Sequence, residues 1–173
     1  MDDPSLELTP RTAALASAAD ALESAGLDHW FFGGWAVDLW VGRLTRPHDD
    51  IDVLVRRVDE ARVHDALTAA GWVHTPHDDD LLGTTYAGDG DDLQLTFVET
   101  DGAGRVVVPV PGQPVVLSDG PLAHVRRPLG HLGVRVVALE MLIEGKASAR
   151  PDDEGGAKDR ADLAALREAH GRG

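Results

Sequence analysis

Three aromatic residues, Trp30-Phe31-Phe32, run straight into Gly33-Gly34, and this junction restricts the fold more than any other feature of the chain. An apolar run so short and so sharply bounded reads as a buried strand rather than a helix, and a turn must follow it. Trp35 to Val41 then carries helical character until Gly42, and Thr45 to Asp49 reads as a loop around Pro47. Asp50-Ile51-Asp52-Val53-Leu54-Val55 alternates and ends in β-branched residues, as a strand does. Strand, glycine turn, short helix and strand thus follow within about 26 residues.

Helical spacing marks two flanking segments. Thr9 to Ala25 presents Leu15, Ala18, Ala19 and Leu22 on one stripe, with Thr9-Pro10 as the expected cap and first-turn proline and Gly26 as the stop. Val58 to Ala70 does the same with Val63, Ala66, Leu67 and Ala70 before Gly71. From Trp72 onward the signal turns to β: Leu93 to Val98 alternates, Asp101-Gly102-Ala103-Gly104 turns and Arg105 to Val110 returns, a hairpin. His77 to Asp80 reads as an acidic surface loop, and Pro109 to Pro128 as irregular, before a strand at Val134 to Val137 and a helix to Lys146. Arg150 to Gly156 reads as a polar linker. Ala157 to Ala169 is then the last helix, with Asp159 and Asp162 on its polar side and Leu163 and Leu166 toward the body. The expected organisation is one domain over residues 1–149, with a linker and a C-terminal helix over 150–173 packed on it.

Composition removes whole classes of chemistry. With no cysteine there is no disulfide, no thiolate zinc site and no cysteine nucleophile. No stretch reaches the ~18 consecutive apolar residues of a membrane span, and Met1-Asp2-Asp3 does not start a secretory leader, so a cytoplasmic protein without membrane partners is expected. The formal charge of −14, from 30 acidic and 16 basic side chains, disfavours extended nucleic-acid contact and would attract a small cationic partner. The same charge also suits a GC-rich coding bias or a salt-adapted surface, for Lys146 and Lys158 are the only lysines.

Alternation along the strand puts Asp50 and Asp52 on one face and Ile51 on the other. Like charges held that close raise each other's pKa unless a cation lies between them. Magnesium, which takes oxygen ligands and shares them with substrate phosphates, is the natural cation. Gly33 and Gly34 let the backbone approach a ligand, and the helix after them offers free N–H groups and a positive dipole end, where phosphates bind. A diglycine alone, or an Asp-x-Asp alone, is weak. Their succession on adjacent elements is the signal, since it sets a phosphate cradle beside a metal pair.

The block Gly33-Gly34-Trp35-Ala36-Val37-Asp38, Gly42-Arg43, Thr45-Arg46 and His48-Asp49-Asp50-Ile51-Asp52 resembles the DNA polymerase beta-like nucleotidyltransferase superfamily. Within it the block is most similar to the aminoglycoside 2''-O-nucleotidyltransferase group, with lincosamide nucleotidyltransferases nearby. A looser likeness extends through Lys158-Asp159-Arg160-Ala161-Asp162-Leu163. The resemblance implies an α+β fold, a mixed sheet with helices packed on it and a C-terminal helical segment. It implies Asp50 and Asp52 as ligands to Mg2+, a nucleoside triphosphate such as ATP resting on Gly33 and Gly34, and a hydroxylated acceptor that receives the nucleoside monophosphate.

That family places a third carboxylate on a later strand, where this chain has Gln94, which cannot act as a base at neutral pH. Three accounts stay open: Asp92, two residues away on the same face, takes over; Glu99 does; or catalysis is impaired. Arg43 and Arg46 are candidate phosphate contacts against a default of structural ion pairs, and Lys146 and Lys158 against a default of solvated helix ends. His48 is expected to orient the loop or Asp50 rather than bind metal, His74 and His77 to lie on the surface, and Trp35 and Trp40 to pack in the core. The leading expectation is an antibiotic-modifying transferase. Its rivals are a transferase acting on a protein or tRNA, for which Arg126-Arg127 offers a basic patch, and a nucleotide-binding homologue that has lost turnover.

Overall fold

A computed structural model describes residues 5–88, 90–148 and 153–171. In chain order the elements are α1 (Ala13–Ser24), β1 (His29–Phe32), α2 (Gly33–Val41), β2 (Asp50–Arg56), a 3-10 turn (Arg57–Asp59), α3 (Glu60–Ala69), β3 (Val73–His74) and β4 (Gly83–Ala87). Then follow β5 (Asp92–Thr100), β6 (Val106–Val108), β7 (Val115–Ser118), β8 (Val125–Leu129), β9 (Leu132–Val136), α4 (Leu139–Ala147) and α5 (Asp153–His170). The sheet runs β3-β4-β5-β2-β1-β9-β8, and β6 and β7 extend the far end of β5 as a ribbon. Two pairings are parallel, β2 with β5 and β1 with β9, and the others are antiparallel, so the sheet is mixed as expected.

The central strands β1, β2 and β5 hold the core because they are apolar where they are covered. Trp30, Phe31, Ile51, Val53, Val55, Leu93 and Phe97 are all at most 2% exposed. Helix α1 buries the expected stripe of Leu15, Ala18, Ala19 and Leu22, and α3 buries Val63 and Leu67. Each leucine so covered contributes roughly 2 kcal/mol through apolar burial. Helix α5 packs against α2 and α4, with Leu166 in the core.

The structure departs from the sequence expectation in four places. Helix α1 starts at Ala13 rather than after Thr9, because Thr9 to Thr12 closes a turn in which Thr12 N donates to Thr9 O at 3.1 Å. The Thr12 hydroxyl serves that turn too, donating to Glu7 O and accepting from Thr9 N, both at 2.9 Å. The stretch from Pro109 to Pro128 is not irregular, for it contains β7 and most of β8. Pro128 fits because β8 is the last strand of its edge, where a missing N–H is tolerated. Arg150 to Gly156 is not all linker, since α5 already runs from Asp153 and buries Gly155 and Gly156; residues 150–152 lie outside the described chain. Finally, Asp159 and Asp162 are buried at 5% and 1% exposure instead of facing solvent.

At the start of β1, His29 is 1% exposed and its Nδ1 hydrogen-bonds Leu27 O at 2.7 Å. Burial holds its pKa below the ordinary value of 6.5, since the imidazolium would lose its hydration. The unfolded chain therefore takes up a proton as pH falls through 6.5 while the folded chain does not. Stability contributed by neutral His29 is present above that pH and is lost below it. Denaturant unfolding between pH 7.5 and 5.5 is expected to show this acid-side decline, and His29→Gln to flatten it; an unchanged slope in the variant refutes the assignment.

Candidate active site

The site begins where β1 ends. Antiparallel pairing sets Phe32 opposite Asp52, so the next residue bends beside that carboxylate. Gly33 makes the bend at φ +72°, in the left-handed region that favours glycine, and a Cβ there would stand 2.5 Å from Asp52 Oδ2. Both constraints select glycine. At Gly34 a Cβ would strike His48 Nδ1 and lie 2.9 Å from Arg46 Nη2, so the N-terminal turn of α2 is bare backbone facing two nitrogen-bearing side chains.

Asp50 and Asp52 stand half-buried on one face of β2, and Ile51 between them is fully buried on the other. Both carboxylates open into a cleft of about 440 Å³ with Gly33, Gly34, Arg46 and His48 on their side. The opposite wall comes from α4, with Met141 and Lys146, and from α5, with Lys158 and Asp159. Among the described residues no group of three or more His, Asp or Glu side chains is arranged to hold a metal by itself. Two carboxylates with substrate phosphates as the remaining ligands are, however, how magnesium is commonly held.

The loop that carries the chain from α2 to β2 is pinned by Asp38, which is fully buried. One of its oxygens accepts from Thr45 N at 3.1 Å and Thr45 Oγ1 at 2.5 Å, and the other pairs with His48 Nε2 at 2.6 Å. Three partners meet the demand of a buried carboxylate. His48 is thereby clamped, with its ring 4.8 Å from that of Trp35, and it orients the loop as expected. The sequence reading did not single out Asp38. Two signals were available: its place in the block from Gly33 to Asp38 that carries the resemblance, and an acid inside a helix whose other residues from Trp35 to Val41 are mostly apolar.

The other candidates divide. Arg46 lines the cleft and makes a bidentate pair with Asp162, Nε to Oδ1 and Nη2 to Oδ2 both at 3.0 Å. Lys146 lies at 2.9 Å from Asp162 and 3.3 Å from Asp159, and Lys158 approaches Asp49 at 3.9 Å. Arg43 is exposed beyond the Gly42 cap and does not line the cleft, which counts against the phosphate contact expected of it. Gln94 stands in register with Asp52, and its Nε2 donates to Asp50 Oδ2 at 3.1 Å. Asp92 is in register with Asp50 on the same face, but it is exposed and outside the cleft lining. Glu99, at the distant end of β5, is paired with Arg57 at 3.1 Å.

Residues set aside in the sequence also find places. Trp35 is buried, and Trp40 donates through Nε1 to Val137 O at 3.1 Å. His77 is exposed, but His74 is half-buried, stacked on Tyr86 with ring centres 4.8 Å apart, and so is not a plain surface residue. The Arg126-Arg127 patch is structural: Arg126 pairs with Glu23 at 2.7 Å, and Arg127 covers the Trp40 ring at 4.8 Å.

This fold is that of the nucleotidyltransferases. The chain is similar to the crystal structure of the lincosamide antibiotic adenylyltransferase LnuA, lincomycin-bound, with TM-score 0.71 and 16% identity over 94% of this chain and 98% of that one. It is also similar to ANT(2'')-Ia in complex with adenylyl-2''-tobramycin, with TM-score 0.60 and 19% identity over 91% and 90% of the two chains. A family model described as aminoglycoside-2''-adenylyltransferase matches residues 14–166, and the chain belongs to that family. Curated 2''-aminoglycoside nucleotidyltransferases of Escherichia coli and Klebsiella pneumoniae are 52% identical over 33 residues, a match spanning 19% of this chain and 19% of theirs.

Two substitutions test the geometry without any ligand. Gly33→Ala is expected to cost about 1–2 kcal/mol from the left-handed backbone alone, lowering Tm by roughly 3–6 °C in a domain of this size. Asp38→Asn leaves part of a buried network unsatisfied, and a loss of about 1–3 kcal/mol is expected in denaturant unfolding. Wild-type stability in both variants would show that neither contact constrains the loop.

Proposed function

We propose that the protein transfers a nucleoside monophosphate, AMP from ATP, to a hydroxyl of an aminoglycoside or lincosamide, with Asp50 and Asp52 holding Mg2+. The observation that carries this reading is the convergence of both carboxylates beside Gly33 in one cleft whose far wall bears Lys146 and Lys158. Their oxygen-only donor set suits a hard divalent ion. When bound, that ion supplies neutralisation of charge developing at the α-phosphate. The Gly33-Gly34 turn supplies backbone N–H groups at a helix start for the phosphates, and Arg46, Lys146 and Lys158 supply positive charge around the tail. The acceptor oxygen forms its bond to the α-phosphorus as the bond to pyrophosphate breaks, and the hydroxyl proton passes to a base. Asp92 is the further carboxylate of β5 on the Asp50 face, and we assign it that role. Arg43 neither lines the cleft nor stands in register with Asp50 or Asp52, as Asp92 and Gln94 do, and is left out of the proposed site.

In this reading residues 1–149 form the transferase domain, with the C-terminal helix packed on it, and the enzyme works in the cytoplasm where its nucleotide is made. Among the described residues no helix is long and apolar enough to cross a membrane. The net charge of −14 suits a cationic acceptor and disfavours an extended nucleic acid.

One observation favours a second reading, a nucleotide-binding protein with impaired turnover: Gln94 occupies an oxygen of Asp50 and offers no base. Magnesium-dependent release of pyrophosphate with a panel of aminoglycosides and lincosamides decides between the two. Turnover is expected, falling by about 10³-fold in Asp52→Asn. Gln94→Glu is expected to raise kcat by roughly 10²-fold if a base is limiting. Nucleotide binding without turnover, unchanged in Gln94→Glu, would establish the second reading.

A further inference from the structure

The Asp162 carboxylate, with its side chain 1% exposed, lies behind the cleft rather than in its lining, and it holds two cations that do line it. Its two oxygens take both nitrogens of the Arg46 fork at 3.0 Å, and Lys146 Nζ stands 2.9 Å from the second of them. Asp159, one turn earlier on α5, adds a further contact to Lys146 at 3.3 Å. The cations come from different elements, the loop before β2 and the C-terminal turn of α4, and Asp162 is their shared anchor. Arg46 Nη2 lies 2.9 Å from where a Cβ on Gly34 would be, so this fork borders the glycine turn directly.

We propose that Asp162 is a positioning residue for the nucleotide, fixing Arg46 and Lys146 so that both meet the triphosphate already in place; this rests on the transferase reading above. Long cationic side chains lose rotamer freedom when they bind a phosphate, and side chains held by folding have lost it beforehand. The bidentate fork also sets the plane of the guanidinium. Burial pushes the Asp162 pKa up, but the hydrogen bonds from Arg46 and Lys146 outweigh it and hold the carboxyl below its ordinary 3.8, so the anchor is charged at neutral pH.

The sign of the effect separates positioning from simple charge. If Asp162 only tempered the positive potential of the cleft, Asp162→Asn would tighten nucleotide binding; positioning requires the reverse. Calorimetry with magnesium and a nonhydrolysable ATP analogue is expected to give about tenfold weaker binding for Asp162→Asn, with the KM for acceptor unchanged. Lys146→Ala is expected to cost a similar factor, and the double variant less than the product of the two, because one acts through the other. Tighter or equal binding in Asp162→Asn, or a fully multiplicative double variant, overturns the proposal. Circular dichroism and thermal unfolding check that the variants fold. If Asp162→Asn does not, Asp162→Glu keeps the charge and moves it by one methylene: weakened binding supports positioning, and wild-type binding overturns it. Wild-type protein that binds no magnesium nucleotide refutes the transferase reading itself, a result distinct from equal binding by wild type and variant.

Discussion

The arrangement depends on one close approach, that of the Gly33 backbone to the Asp52 carboxylate. It arises because β1 and β2 are antiparallel neighbours joined through a single short helix, so the end of the first strand must meet the start of the second. The bend and the acid then stand side by side whatever else the molecule does. A side chain at Gly33 would break this twice, by its backbone conformation and by collision. Parallel pairing of β2 with β5 extends the same constraint, setting Asp50 and Asp52 in register with Asp92 and Gln94. Four polar positions on one sheet face are therefore fixed by strand order, and side-chain packing only refines them.

Around this face the protein separates two kinds of charge. The paired acids Asp50 and Asp52 lie on the rigid centre of the sheet, whereas the cations reach the cleft from a loop and from helices α4 and α5. Flexible cations need anchors, and the anchors are acids placed out of solvent, Asp38 beneath the loop through His48 and Asp162 beneath Arg46 and Lys146. A buried carboxylate without partners would be costly, so these pairings are needed by both sides. Part of the acidity of the chain thus lies inside it, while Asp78 and Asp79 are exposed in the loop before β4 and acids such as Asp20, Glu60 and Glu140 on exposed helix faces.

What the sequence made legible follows from the range of the interactions involved. The β1-α2-β2 unit was readable because its signals are local: an apolar run, two glycines, and alternation of period two. The faces of α1 and α3 were readable for the same reason, each being one stripe of a single helix. Strands β7 and β8 were hidden because their partners give them order, and Pro128 masked an edge strand as a loop. The inward acids of α5 were misread because a hydrophobic pattern assigns acids to solvent, and the residue that draws Asp162 inward, Arg46, is 116 positions away in the chain. Arg43 and Arg46 were both candidate phosphate contacts, yet only Arg46 lines the cleft, while Arg43, next to the left-handed cap at Gly42, is exposed outside it.

The amide at Gln94 alters more than the supply of a base. A carboxylate at this register position would bring a fourth negative charge to a face that already holds Asp50, Asp52 and Asp92, and like charges so close demand compensating cations. The amide instead donates to Asp50, taking up one of the oxygens and easing the repulsion between the remaining acids. On the transferase reading, Asp50 and Asp52 are the residues of this face that would hold a divalent ion shared with the phosphate tail. The cations that Asp162 holds, Arg46 on the aspartate side of the cleft and Lys146 on the wall opposite, supply positive charge to that tail from both sides.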